Sequence, residues 1–540
     1  MTRLLALTLA FVALAAPPAQ KFYPDDPLAR EPESRDASAA APGDIGLMYD
    51  IAFNLFATSR RQPSNVRAAN VNTIDEVPDS GWFTNRILPR RLAVEDLVRG
   101  PNTGAPPKAE RWTIIREKSA GFSPGFTARD AAGETWFVSF DPPGNREGAT
   151  AAIVVASKFF WALGYNQVES FITTVDPKTL AIDPSATMRR PNGKRTPMRQ
   201  DDVNAVLERA ARNPDGTYRA AAGRLLSGKV LGPFRYEGTR PDDPNDVVAH
   251  EHRRELRALR VFGAWTNLTD LKAGNTLDTL VTADGKAVVR HYLQDVGSTF
   301  GIGANGPHDW DEGFEYFYDQ GPSRRRLLSL GFALSPWQTA DYTESASIGR
   351  FEGEAFDPKT WKPHAPTTAY MEMQPEDAFW AARRVAAFDD DLIRAIVHEG
   401  HFSDQAAERH LADLLIARRD KIARAYLSDV NPLVNPKLSD AGDLTFESAA
   451  NTAAGAPSAY TGVWLQFDNA SGTTGPLGQS RATQPALKAP GNLPSATGDM
   501  VEIDVTGDGA GHPEWQRPVR LHFRRTAGGW ALVGLDRSGK

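Results

Sequence analysis

The order of regular elements between Trp112 and Val175 constrains this chain more than any single residue. "RWTIIREK" alternates apolar and polar residues as a strand does, and "SAGFSPGF" after it is a Gly/Pro-rich loop. "FTARDAAGETWFVSFDPP" reads as strand, turn, strand, with the turn at Asp130–Gly133. "REGATAAIVVASKFFWALG" has the length of a buried helix and stops at Gly164, and "QVESFITTV" is a further strand. Strand, glycine loop, strand, strand, helix, strand is the frame into which the rest of the chain must fit.

Around it the composition changes in steps. Residues 17–45 are rich in Pro, Ala, Asp and Ser without hydrophobic periodicity and read as a linker; "IGLMYDIAFNLFATS" then predicts a helix packed on the main body. Between 181 and 245, loops alternate with a helix at "DDVNAVLERAAR" and a strand at "GKVLGPFRYEG". "HEHRRELRALRVFGAWTNL" is a strong amphipathic helix, and "KAVVRHYLQDVG" is a strand that ends at Asp295. Past 375 the pattern is mainly helical, and from about 430 short alternating runs between Gly, Pro and Ser predict a small β domain. The expected division is 1–20 leader, 21–110 linker and N-terminal extension, 111–180 small sheet lobe, 181–428 larger helical lobe, and 429–540 β domain. The fold class is α+β.

Arg3 precedes the apolar run "LLALTLAFVALAA", and small residues follow at Ala13, Ala15 and Ala16, the pattern of a secretory signal cleaved between Ala16 and Lys21. The chain has no Cys, so neither disulfides nor Cys-ligated metals arise, and a full-sized core dispenses with disulfides. A net charge of -6 argues against a nucleic-acid partner, and past the leader no stretch is apolar enough to anchor the chain in a membrane. A secreted or periplasmic protein is expected.

Phosphoryl transfer from a nucleotide requires a glycine loop close to the phosphates, an Asp that orients or deprotonates the attacking hydroxyl, and hard oxygen ligands for a divalent metal. Gly121, Pro124 and Gly125 lie in the loop between the first two strands. Asp270 and Asn275 carry the spacing D-x-x-x-x-N directly after the amphipathic helix, and Asp295-Val296-Gly297 follows a strand about twenty residues on. Each motif alone is weak; their order behind the strand–helix frame is more specific.

With these motifs the chain resembles the atypical protein-kinase-like proteins: the HipA-type, the spore-coat CotH-type and the secretory-pathway kinases. It is most similar to a group of secreted bacterial proteins with stretches such as "PGFTARDAAGETWFVSFDPP", "GPFRYEGTRPDDPND" and "HEHRRELRALRVFGAW". The resemblance covers roughly 110 to 425. It implies a bilobal kinase-like fold, with Asp270 as catalytic Asp, Asn275 and Asp295 as ligands of Mg²⁺ or Mn²⁺, and ATP as cofactor. The acceptor it implies is an envelope or extracellular protein or a small molecule.

The pattern departs from that family at one pair. The strand position of the phosphate-binding Lys holds Ser139, and the partner Glu position on the next helix holds Ala152 or Ile153. Lys118, just before the glycine loop, and Lys158, further along the helix, are the nearest replacements, since a Lys stem is long and flexible. Two readings stay open: a phosphotransferase, and a catalytically inactive pseudokinase serving as a binding or scaffold module. A hydrolase lacks support, because no G-x-S-x-G occurs.

Other polar clusters have plainer readings. His398 and His401 are three apart with Gly400 between them, not the i, i+4 pair of a zinc helix. Asp242, Asp243 and Asp246 precede a helix and suit capping, and His291 suits a satisfied core histidine.

Overall fold

The computed structural model describes residues 20–118, 123–190, 192–330, 332–342, 345–450 and 455–537. The expected leader therefore falls almost wholly outside the described residues.

The expected frame is present. Strands β1 (Trp112–Glu117), β2 (Gly125–Arg129) and β3 (Thr135–Phe140) form an antiparallel meander, followed by the helix Gly148–Leu163 and strand β4 (Ser170–Val175). The sheet extends past residue 180. β5 (Leu180–Arg189), β6 (Arg195–Pro197) and β7 (Tyr218–Arg224) complete seven strands in the order β4-β7-β3-β2-β1-β5-β6, with only β1–β5 parallel. β7 reads "YRAAAGR", poor in β-formers, and carried no strand signal of its own. It is inserted between β3 and β4, and its buried Ala220, Ala221 and Ala222 let neighbouring elements approach closely.

The helix Gly148–Leu163 joins the two lobes. It contacts β4 and β7 on one side, and Phe159 meets Trp265 and Phe388 edge-on or tilted, at 5.0 and 5.6 Å, on the other. It thereby belongs to the large core of the helical lobe, built from the helices Arg254–Thr266, Pro375–Ala386, Asp390–His398 and Gln405–Tyr426. The outer face of the sheet has its own core around Trp112, Phe126 and Phe140, capped by the helix Gln200–Leu207. This is the α+β layout expected of the sequence, a strand-rich lobe joined by one helix to a mainly helical one. Strands β8 (Lys229–Gly232), β9 (Thr276–Ala283) and β10 (Lys286–Leu293) form a second antiparallel sheet inside the helical lobe.

The last hundred or so residues fold into one three-stranded and one five-stranded sheet. The segment read as a linker is not detached. Phe22 packs with Phe467, Met500 and Val533, and Ala37 and Ala40 are buried against Leu231 and Val289. These contacts join residues hundreds of positions apart, which local periodicity cannot register.

Candidate active site

The helix Arg254–Thr266 points at the site and is anchored by a row of buried guanidinium groups. Arg254 donates to Asp75 at 2.8 Å and to Asp377 at 2.9 Å, and Arg257 reaches the same Asp377 at 3.1 Å. Arg253 pairs with Glu31 at 3.1 Å. The acidic partners of Arg253 and Arg254 are thus internal. An ion pair of this kind contributes little net stability when complete but makes the arrangement costly to break.

The helix ends at Asn267, whose left-handed conformation (φ 56°, ψ 41°) turns the chain out, with Leu268 N–H bonded to Gly263 O. Asp270 follows in the loop, half-buried, its carboxylate paired with Lys272. Asn275 closes this loop: its Nδ2 donates to Asp270 O at 2.8 Å. β9 begins at the next residue, turns at Asp284-Gly285, both with positive φ as a tight hairpin requires, and returns as β10 with Thr276 opposite Leu293. That register puts Gln294 and Asp295 beside Asn275, whose carbonyl accepts both their N–H groups at 3.0 Å. The hairpin is the physical reason for the spacing of about twenty residues between the two motifs.

Asp295 is exposed and accepts Gly297 N–H at 3.1 Å through Oδ1. Lys118, the residue after β1, feels its charge: burial lowers the Lys118 pKa, and the Asp295 carboxylate opposes that shift. Lys118 also donates to Ser123 in the glycine loop. Lys158 is held elsewhere. It is buried, donates to Val98 O and pairs with Glu399 at 3.0 Å. Of the two candidate lysines, Lys118 senses the charge of a motif residue, Asp295, whereas Lys158 is paired with Glu399.

Gly125 pairs with Ser139 and is buried; an added Cβ would lie 2.2 Å from Val138 O, so its missing side chain serves the crossing of β2 and β3. Gly121 lies outside the described residues. At the pair of positions where a Lys and a Glu were absent, Ser139 is buried in β3, and Ile153 packs against Gly297, where a Cβ would sit 2.9 Å from its Cγ1. An aliphatic contact therefore joins the helix to the Asp-x-Gly turn.

A polar network beside Asp270 was not anticipated. Glu312 accepts from Thr269 Oγ1 at 2.9 Å and bonds His364 Nε2, and His308 Nε2 lies 3.0 Å from Ser298 Oγ. Asn267 Nδ2 approaches His308 Nδ1 at 3.4 Å, while Trp361 Nε1 donates to Asn267 Oδ1 at 2.8 Å. Burial lowers the His308 pKa to about 4, with Glu312 opposing, so the ring is neutral near pH 7. The only signal in sequence was the i, i+4 spacing of His308 and Glu312, too common to single out.

The remaining clusters are structural. His250 pairs with Asp246 at 2.7 Å, and His291 pairs with Asp278 at 2.7 Å while stacked on Trp82. His398 is exposed and bonded to Glu408. Among the described residues no three His, Asp or Glu side chains converge as a metal-ligating group. Any metal at this site would need the mixed set of Asp295 and Asn275.

No family model and no curated protein matches the chain. Two solved structures of a Golgi casein kinase are similar. One has a TM-score of 0.31 and 9% identity, covering 61% of this chain and 73% of that one. The other, with Mn and ADP bound, has a TM-score of 0.28 and 10% identity, covering 61% and 76%. At TM-scores this low they decide nothing about the chemistry of this chain, which rests on the geometry above.

Proposed function

We propose that this chain is an exported, kinase-like phosphotransferase that moves a phosphoryl group from a nucleotide such as ATP to a hydroxyl of an envelope or extracellular acceptor. The observation that carries the reading is the backbone clamp at Asn275. It ties the backbone at Asp295 to the loop of Asp270, and the Lys118 ammonium feels the Asp295 carboxylate. Asn275 Oδ1 accepts no hydrogen bond among the described residues, and Asp295 is exposed, so two residues joined through the backbone carry hard oxygen donors suited to Mg²⁺ or Mn²⁺. Asp295 and Asn275 would hold such an ion, which would supply charge neutralisation for the phosphates. The chain's own part is positional. Asp270, steadied by Lys272 and by the Asn275 bond to its carbonyl, orients the acceptor hydroxyl and takes its proton. Lys118 offers its ammonium to phosphate in place of the missing strand lysine.

A second reading, a pseudokinase acting as an envelope scaffold, is favoured by one observation: Ile153 fills the place beside Gly297 where an ion pair would otherwise order the site. Thermal shift with ATP, ADP and GTP, each with and without Mg²⁺ or Mn²⁺, separates the two. A metal-dependent rise in Tm that Asp295→Ala removes supports the first. No rise at millimolar nucleotide supports the second.

A further inference from the structure

The helix Leu47–Phe56 has a peculiar surface. Of its residues only Asn54 is buried, bonded within the helix to Asp50 and to Thr58 beyond it, while the partly exposed Leu47 lies over Gly274, where a Cβ would sit 2.8 Å from Leu47 Cδ1. Its other face exposes Met48, Tyr49, Phe53 and Phe56. Phe56 meets Tyr318 at 5.3 Å, which carries the apolar surface onto a second segment. There Leu327, Leu328, Leu330 and Phe332 are 74–87% exposed. This second segment is tied to the core at its root: Phe317 stacks on His364 at 4.1 Å, and Arg326 pairs with Glu315 at 2.6 Å. Large apolar side chains exposed in such number on two segments that meet at Phe56 and Tyr318 exceed the scattered exposure normal for a monomer.

The charge beside them identifies the occupant. Arg324 and Arg325 precede the exposed leucines, are exposed themselves, and form no ion pair among the described residues. They stand out on a chain of net charge -6. The partner must therefore be apolar and anionic at once. The leucines and Phe332 stand clear of the protein as separate tips; a protein surface would need a fitted pocket for each, whereas a lipid interface needs none.

We infer that the face formed by the helix Leu47–Phe56 together with Leu327, Leu328, Leu330 and Phe332 docks the protein peripherally on an anionic lipid surface. The apolar tips enter the headgroup boundary, and Arg324 and Arg325 meet lipid phosphates. Because the acidic remainder of the chain is repelled by the same surface, docking is oriented. It brings the turn Ala273–Asn275, on which Leu47 packs, toward the membrane. The inference stands apart from the phosphotransfer reading, since it needs no turnover.

Co-sedimentation of the mature protein with vesicles tests it. Vesicles of phosphatidylglycerol and phosphatidylethanolamine are expected to bind roughly tenfold or more tightly than pure phosphatidylcholine vesicles, with binding weakened by salt. Arg324→Glu with Arg325→Glu abolishes that preference, and Leu328→Glu with Phe332→Glu abolishes binding to both. All four positions are exposed, so an unchanged Tm verifies that the variants fold. Wild-type protein that stays in the supernatant with both vesicle types overturns the inference, as does unaltered binding by the Leu328/Phe332 variant. Concentration-dependent dimerisation lost in that variant, without vesicle binding, assigns the face to a second copy and overturns it too. None of these outcomes bears on the nucleotide response, which thermal shift reads separately.

Discussion

Asn275 and Asp295 are joined through the backbone: the Asn275 carbonyl accepts the N–H of Asp295, and that of Gln294, at 3.0 Å. The same Asn275 fastens Asp270 through its side chain at 2.8 Å. One residue therefore ties together the backbone at all three motif positions, and its two roles separate on substitution. Asn275→Ala keeps the carbonyl clamp and loses the side-chain bond, at a cost of about 1 kcal/mol in urea denaturation. It is expected to remove most of the metal-dependent nucleotide shift. Asp295→Ala, at an exposed position, is expected to remove that shift with stability nearly unchanged.

Lys118 and Lys158 are opposites in the same test. Lys158→Met strands Glu399 beside a buried apolar stem and is expected to destabilise the fold by about 1–3 kcal/mol, with nucleotide response scaling only with the folded fraction. Lys118→Met is expected to leave Tm within a few degrees and abolish the response. If Lys158→Met proves the nucleotide-specific variant, the assignment of the phosphate-facing lysine to Lys118 fails.

Asp377 serves two buried guanidinium groups, Arg254 and Arg257. Asp377→Ala leaves both short of a carboxylate and is expected to cost about 3–5 kcal/mol, read from chemical denaturation. Exposed pairs such as Lys488–Asp443 are expected to cost below about 1 kcal/mol by the same measurement.

Stability is expected to fall with pH in two stages. Burial holds His308 at about 4 against an ordinary value of 6.5, so between those values the unfolded chain binds a proton that the folded chain refuses. Its contribution is complete above 6.5 and lost as pH falls toward 4. Glu76 is depressed to about 2 from 4.5: burial opposes the shift, and Arg383 and Arg384 outweigh it. The stability it brings is complete above 4.5 and drains away toward 2. Tm measured from pH 7.5 downward is expected to decline first below 6.5. His308→Gln should flatten that first decline and leave the lower one in place.

Local elements were legible because their signals are local. The helix Gly148–Leu163 and its stop at Gly164, the amphipathic helix Arg254–Thr266, and strand β10 ending before Asp295 all follow from periodicity and terminal residues. β7 escaped notice because an alanine run has no strand preference; its place between β3 and β4 is decided by the neighbours that need small side chains. Residues 20–45 looked like a linker because their anchors, Phe22, Ala37 and Ala40, are too few and irregular to make a period.

At the candidate site the division is the same. Sequence alone determined which residues carry the D-x-x-x-x-N and Asp-x-Gly spacings and that a strand separates them, since these depend on neighbours along the chain. Only the tertiary structure paired Lys158 with Glu399, because a long side chain can face either way until packing and a partner choose. It alone assembled Thr269, His308, Glu312 and His364, which come from three separate stretches and meet only once the helical lobe has closed. Side-chain chemistry is written residue by residue, but which side chains share a site is set by long-range contacts that no local pattern encodes.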